Sequence, residues 1–406
     1  MPWSSLVRAG LFLATLAGCG AAAAGGGHAG SGGGAGSSAG AAGTGGAGQG
    51  GGGGAGASLG GADGARDGAV IDASADLGAA SADSAADETA GDTSVAVTAD
   101  LTKVVATPGC GQLPTQALGT AVRYTIATSG QKPSSGSGCA DTKCGAWSYE
   151  REYFITLPAS YDGTKPLPLV FVGPGCGGVG TQLGAFAPGP PAIIRVGLTP
   201  PPNDIGHVTN PGQGCFDDKE GDDSVDFVFY ESLYDVLKAQ LCFDKNRVFA
   251  AGNSSGGWLA IELGCKYGGD ALRPIRAVVP NNGGLPTTVA YAPTCSGKPH
   301  AGMFIFDADD SSNEPSVALG SRAAVNQAML VDGCAQTNLA LASSQDFPIG
   351  GGNPTSTCKR VVGCSPLDPI VVCQIQTTVQ SSNDAVVGPG FTTFLGLFEQ
   401  APLLSP

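Results

Sequence analysis

Cationic side chains are scarce: 20 Lys and Arg stand against 34 Asp and Glu, for a net charge of −14. Nucleic-acid binding needs a basic surface to neutralise phosphates, so no nucleic-acid partner is expected. The same acidity disfavours direct contact with anionic membrane faces. Three His in 406 residues exclude a His-rich metal centre. Long apolar runs are also missing. The stretch from Ala9 to Ala17 is the most apolar near the start, and it is far too short to span a bilayer. What is abundant is Gly, at 67 residues, much of it between Gly25 and Gly64. Thirteen Cys are too many for a reducing cytosol. The composition describes an exported, acidic, disulfide-bearing protein with a long tether.

The run from Gly20 to about Gly61 is Gly, Ala and Ser, with almost nothing able to bury area, so it is expected to stay disordered. From Ala62 to Ala106 Asp replaces much of the Gly. As a flexible coil this tether would span about 50 Å. It sets three segments: 1–18, an export signal; 19–105, the tether; 106–406, a folded domain. Leu16-Ala17-Gly18-Cys19 resembles the lipobox of bacterial lipoproteins, in which the Cys is acylated and begins the mature chain. That implies a lipid anchor at Cys19 on the bacterial cell surface or outer membrane. An ordinary signal peptide with a chance Cys, releasing a secreted protein, is the plainer alternative. Setting Cys19 aside leaves 12 Cys, an even number that permits six disulfides in many pairings.

In the domain, short apolar runs alternate with helical periodicity. Strands are expected at 149–157, 167–172, 192–196, 247–251, 275–279, 303–306 and 370–373, and helices at 224–242, 258–267 and 317–331, with a last one starting at Pro389. Such alternation predicts an α/β domain with a mainly parallel sheet.

Gly252-Asn253-Ser254-Ser255-Gly256 fits G-x-S-x-G, the nucleophile-elbow pattern. Gly36-Ser37-Ser38-Ala39-Gly40 in the tether fits it too, so context decides. Only Ser254 follows an apolar strand and precedes a helix, where a sharp turn would lift its hydroxyl above the sheet. Gly173-Pro174-Gly175-Cys176-Gly177-Gly178 spells a dinucleotide fingerprint, yet no acid occurs between Asp162 and Asp204 to hold a ribose, and Pro174 lacks an N–H. No cofactor is expected. The alternative is a turn that offers backbone N–H groups to a developing oxyanion, beside the N–H of Ser255. Asp307, Asp309 and Asp310 end another strand, where one carboxylate could orient a His and the others would cap a turn. Neither the acidic run 217–223 nor the spacings of Cys139/Cys144 and Cys358/Cys364 fit a metal site.

Arg151–Leu157, Pro166–Val172, Gly175–Gly178, Asp222-Asp223 with Phe227, Leu241–Asp244, Arg247–Phe249 and Gly252–Gly257 resemble, in order and spacing, the secreted polyhydroxybutyrate depolymerase and feruloyl esterase family. The resemblance implies an α/β-hydrolase fold and a Ser-Asp-His triad acting on carboxylic esters of polymers. By position it makes Ser254 the nucleophile, Asp310 the acid and Cys176 the second oxyanion donor. The chain departs from the family at the base. Where the family has His-Gly this chain has Pro174-Gly175, and the window before the last helix, 377–384, holds no His. His300 begins a strand, on the wrong edge of the sheet, and His28 lies in the tether. His207 remains, either as a relocated base or as a plain loop residue. Without a base the hydroxyl stays protonated, at a cost on the order of a millionfold. Two functions follow: a surface-anchored esterase of weak activity, or an inactive relative that binds a polysaccharide or polyester. In either case Gln380 or Asn383 is expected where an imidazole would sit.

Overall fold

The computed structural model describes residues 101, 103–131, 145–182, 186, 192–201, 214–216, 224–285, 300–308, 317–340, 342–349, 356–375 and 383–399. The expected signal segment, most of the expected tether, Cys19, His207, Asp310 and Gln380 lie outside them.

Among the described residues one sheet runs through the domain. Its strands are β1 (Ala121–Gln131), β2 (Ala146–Thr156), β3 (Leu167–Gly173), β4 (Ile194–Leu198), β5 (Phe243–Asn253), β6 (Ala277–Asn281), β7 (Ala301–Asp307), β8 (Ser344–Asp346), β9 (Ser356–Val361) and β10 (Ile370–Ile375). The order is β1-β2-β4-β3-β5-β6-β7-β10-β9-β8. Pairing is parallel from β4 through β3, β5, β6 and β7 to β10, and antiparallel at both ends. The helices are α1 (Val225–Gln240), α2 (Ser255–Tyr267), α3 (Val317–Val331) and α4 (Asp384–Glu399).

Alternate residues of the parallel strands feed two cores. Leu169, Phe171, Val248, Ala250, Phe304 and Phe306 pack with Leu233 of α1, Leu263 of α2 and Val325 of α3. Val170, Val172, Phe249 and Ile305 pack with Phe391, Phe394 and Phe398 of α4. Helices therefore cover both faces, which is why these strands read as continuous apolar runs instead of alternating ones. This is the α/β fold with a mainly parallel sheet that was expected. No helix among the described residues is long and apolar enough to cross a membrane.

Some boundaries differ from expectation. Helix α4 begins at Asp384, not at Pro389, which lies inside it. The Val386 and Val387 N–H groups donate to the Asn383 carbonyl at 2.8 and 2.9 Å, so the helix is under way before the proline. The carbonyl that Pro389 cannot serve is that of Ala385, an exposed residue, so water can satisfy it. Helix α2 starts three residues earlier than its apolar face suggests, directly after Ser254.

All nine described Cys of the domain are in disulfides. The described pairs are Cys110–Cys242, Cys176–Cys215, Cys334–Cys364 and Cys358–Cys373. Cys358 and Cys364, close in sequence, thus take different partners. At the start of α1 Ser224 accepts the Asp226 N–H at 3.2 Å, and Asp226 meets Arg151 of β2 at 2.6 Å. Both charged side chains are buried, with Arg151 also over the Phe229 ring.

Candidate active site

The strand order reverses at β3: β4 lies on one side of it and β5 on the other. In open α/β sheets ligands bind at such a switch point, outside the carboxyl ends of the strands. The two Gly-rich segments leave the sheet there, since Gly173 pairs with Gly252 at the end of the β3/β5 ladder.

Ser254 joins β5 to α2 with φ 53° and ψ −122°. An L-residue held there costs about 1–3 kcal/mol and persists only when its surroundings over-determine it. They do. The Ser254 N–H donates to the Asn281 carbonyl at 2.9 Å, and its own carbonyl accepts from Gly257 and Trp258 at 2.8 and 3.0 Å. The flanking glycines are needed because backbone passes where their side chains would be. A Cβ on Gly256 would overlap the Gly173 carbonyl, and one on Gly252 would lie 2.7 Å from the Gly173 oxygen. The Ser254 side chain makes no cap hydrogen bond to its helix.

The turn after β3 comes back over this serine. A Cβ on Gly175 would stand 3.4 Å from Ser254 Cβ. The turn is closed by Gly178 N–H to the Gly175 carbonyl at 3.0 Å and tied down by Gly177 N–H to Gly214 O at 2.7 Å. The Cys176–Cys215 disulfide fixes it covalently. Ser254, Ser255 and the Cys176 turn, chosen from sequence, are therefore together at one end of the sheet. Asp310 and His207 lie outside the described residues.

Asp307, the last residue of β7, is fully buried. Its N–H donates to Asn282 Oδ1 at 2.9 Å, and Asn282 Nδ2 donates to Asp307 Oδ2 at 2.8 Å. Asn282 has φ 52°, so this reciprocal pair holds a tight turn after β6. Asp307 is thus one of the turn-capping carboxylates expected among the three acids. His300 sits at the amino end of β7, the edge opposite Ser254, as read from sequence.

An amide chain that sequence reasoning did not foresee crosses the carboxyl edge. Asn383 Nδ2 donates to Asn281 Oδ1 at 2.9 Å, and Asn281 Nδ2 donates to Asn253 Oδ1 at 2.8 Å. Asn383 therefore reaches the residue before Ser254 through a single intermediary. The available sequence clue was the run Asn281-Asn282-Gly283-Gly284, rich in residues that tolerate positive φ. No group of three or more His, Cys, Asp or Glu among the described residues could hold a metal ion.

No family model matches the chain, and no curated protein sequence matches it. Among solved structures a ferulic acid esterase matches at 14% identity and a TM-score of 0.25, over 40% of this chain and 60% of its own. A ferulic acid esterase from Anaeromyces mucronatus, in complex with ferulic acid, matches at 13% identity and a TM-score of 0.37, over 68% of this chain and 90% of its own. The feruloyl esterase module from Clostridium thermocellum matches at 11% identity and a TM-score of 0.33, over 56% and 81%. Likenesses this distant say nothing of substrate, and the functional reading rests on the chain's own residues.

Proposed function

We propose that the domain takes carboxylic esters, or the polymers that carry them, at the Ser254 edge of the sheet, and that it hydrolyses them weakly. The observation that carries this reading is the backbone of Ser254, strained and locked under the Gly175–Gly178 turn. Strain of this kind gathers at functional sites. In this reading Ser254 Oγ adds to the ester carbonyl and its proton passes to a base. The N–H groups of Ser255 and Cys176 hold the oxyanion, the alcohol leaves with a proton, and water then releases the acid from Ser254. Asp310 is the acid of the triad and His207 the remaining base. An amide cannot accept a proton at neutral pH, so Asn383 does not replace a His.

A second reading is favoured by the amide chain itself: an inactive relative that keeps the cleft to bind a polysaccharide or polyester. Fluorophosphonate labelling, with Ser254→Ala as the blank, separates the two, because only an activated Ser reacts quickly. Weak catalysis predicts slow labelling and aryl-ester turnover barely above background, raised by Asn383→His or Gln380→His. Brisk turnover abolished by His207→Ala would make His207 the relocated base. Turnover that survives Ser254→Ala would overturn the serine-esterase reading.

The anchor belongs to the same proposal. Acylation at Cys19 would hold the domain at the cell surface, and Cys19→Ser should move the protein from the membrane fraction to the soluble one. Unchanged partitioning would refute the anchor.

A further inference from the structure

At the amino edge of the sheet, opposite Ser254, two buried carboxyls, Asp332 and Asp368, lie within electrostatic reach of one guanidinium, that of Arg276. Asp332 follows the last residue of α3, and its N–H still donates to the Ala328 carbonyl at 2.9 Å. It is 7% exposed. Its Oδ1 accepts the backbone N–H of His300 at 3.0 Å, and its Oδ2 has no hydrogen-bond partner among the described residues. Its own helix gives no help, because the last turn of α3 holds no basic residue and a helix C-terminus repels negative charge.

Three charged or titratable groups face it from neighbouring elements. His300, 4% exposed, leads into β7, with its ring against Gly264 of α2 and Gly268 just beyond. Arg276 leads into β6 and Asp368 into β10. Arg276 is already engaged: Nη1 meets Asp368 Oδ1 at 2.6 Å, Nη2 donates to the Leu367 carbonyl, and the guanidinium lies over the Phe398 ring. Among the described residues the two carboxyls have one guanidinium within reach, and it is bonded to Asp368.

We propose that this cluster is a pH-sensitive latch: Asp332 is protonated in the native protein, and its ionisation destabilises the fold where α3 ends against the start of β7. Burial, with the charge of Asp368 adding to it, pushes the Asp332 carboxyl up to about 8, against the smaller pull of the His300 N–H and Arg276. Its value in the unfolded chain is the ordinary 3.8. The native state thus holds one more proton than the unfolded chain between those two values. The stabilisation is full below about 4, declines as pH rises, and is gone above about 8. In that interval the unfolding constant rises by as much as tenfold per pH unit. The latch is independent of what Ser254 does.

Urea unfolding of the exported protein, disulfides intact, at pH 5, 6, 7 and 8 tests it against D332N. The variant keeps an oxygen for the His300 N–H and removes the titration. Wild type should lose stability with rising pH more steeply than D332N, by one proton. A merely structural role for Asp332 would displace the whole curve and leave its slope unchanged, so parallel profiles would overturn the proposal. Should D332N fail to fold, carbon NMR of the Asp carboxyls in native wild type decides. One Asp still protonated at pH 7 supports the latch, and every Asp ionised at that pH refutes it.

Discussion

Gly256→Ala and Gly396→Ala make the same chemical change with opposite expected signs. In the interior of a helix, replacing Gly by Ala stabilises by about 0.5–1 kcal/mol, because the unfolded chain loses freedom. Gly396 lies in α4 with open space where its Cβ would go, so its Ala variant should gain about that much. Gly256 is in the first turn of α2, where the helical gain is smaller. Its Cβ would overlap the carbonyl of Gly173 and stand 2.6 Å from the Pro174 oxygen. These are backbone atoms, so no rotamer change relieves the overlap. Either β3 or α2 must move, at a cost of about 1–3 kcal/mol by comparison with overpacked cores. The two variants should therefore differ by about 1.5–4 kcal/mol. Urea midpoints at fixed pH, with disulfides intact and slopes unchanged, read this difference directly. Displacing β3 also lifts the Gly175 turn from Ser254, so Gly256→Ala should slow fluorophosphonate labelling further while Gly396→Ala leaves it alone. If Gly256→Ala proves as stable as Gly396→Ala, the close packing of α2 on the end of β3 is wrong.

Arg151→Leu would take from the buried Asp226 the guanidinium it meets and should cost about 3–5 kcal/mol, with much of that recovered by adding Asp226→Leu. A double-mutant cycle in urea checks it, and additive losses would show that the pair is not coupled. The disulfides should rank by the loop they close. Removing Cys110–Cys242, 132 residues apart, should cost about 5 kcal/mol, and removing Cys358–Cys373, 15 apart, about 3. Equal losses would point to effects other than chain entropy. Thiol titration of denatured, unreduced protein should find few free Cys, since every described Cys of the domain is bonded; six or more would contradict that.

What could be read from sequence was what burial writes locally. Strands β3, β5, β7 and β10 are covered on both faces, and their apolar runs report it. Ser254 was legible because two glycines, an apolar strand before and a helix after it leave few other turns. The edge position of His300 followed from strand direction alone. Strand β1 escaped notice because it is an edge strand, mostly exposed or half-buried, which touches the core through Tyr124 and Ile126 and is otherwise held by its ladder with β2. The three residues of β8 are all exposed and carry no apolar signal. The rest was settled by contacts between distant parts of the chain. Asn383 reaches Asn281 across 102 residues, Arg276 meets Asp368 across 92, and Arg151 meets Asp226 across 75. The period of side chains along a strand or helix says that a residue is buried. Which partner satisfies it there depends on how the layers pack, and so does the proton that Asp332 keeps.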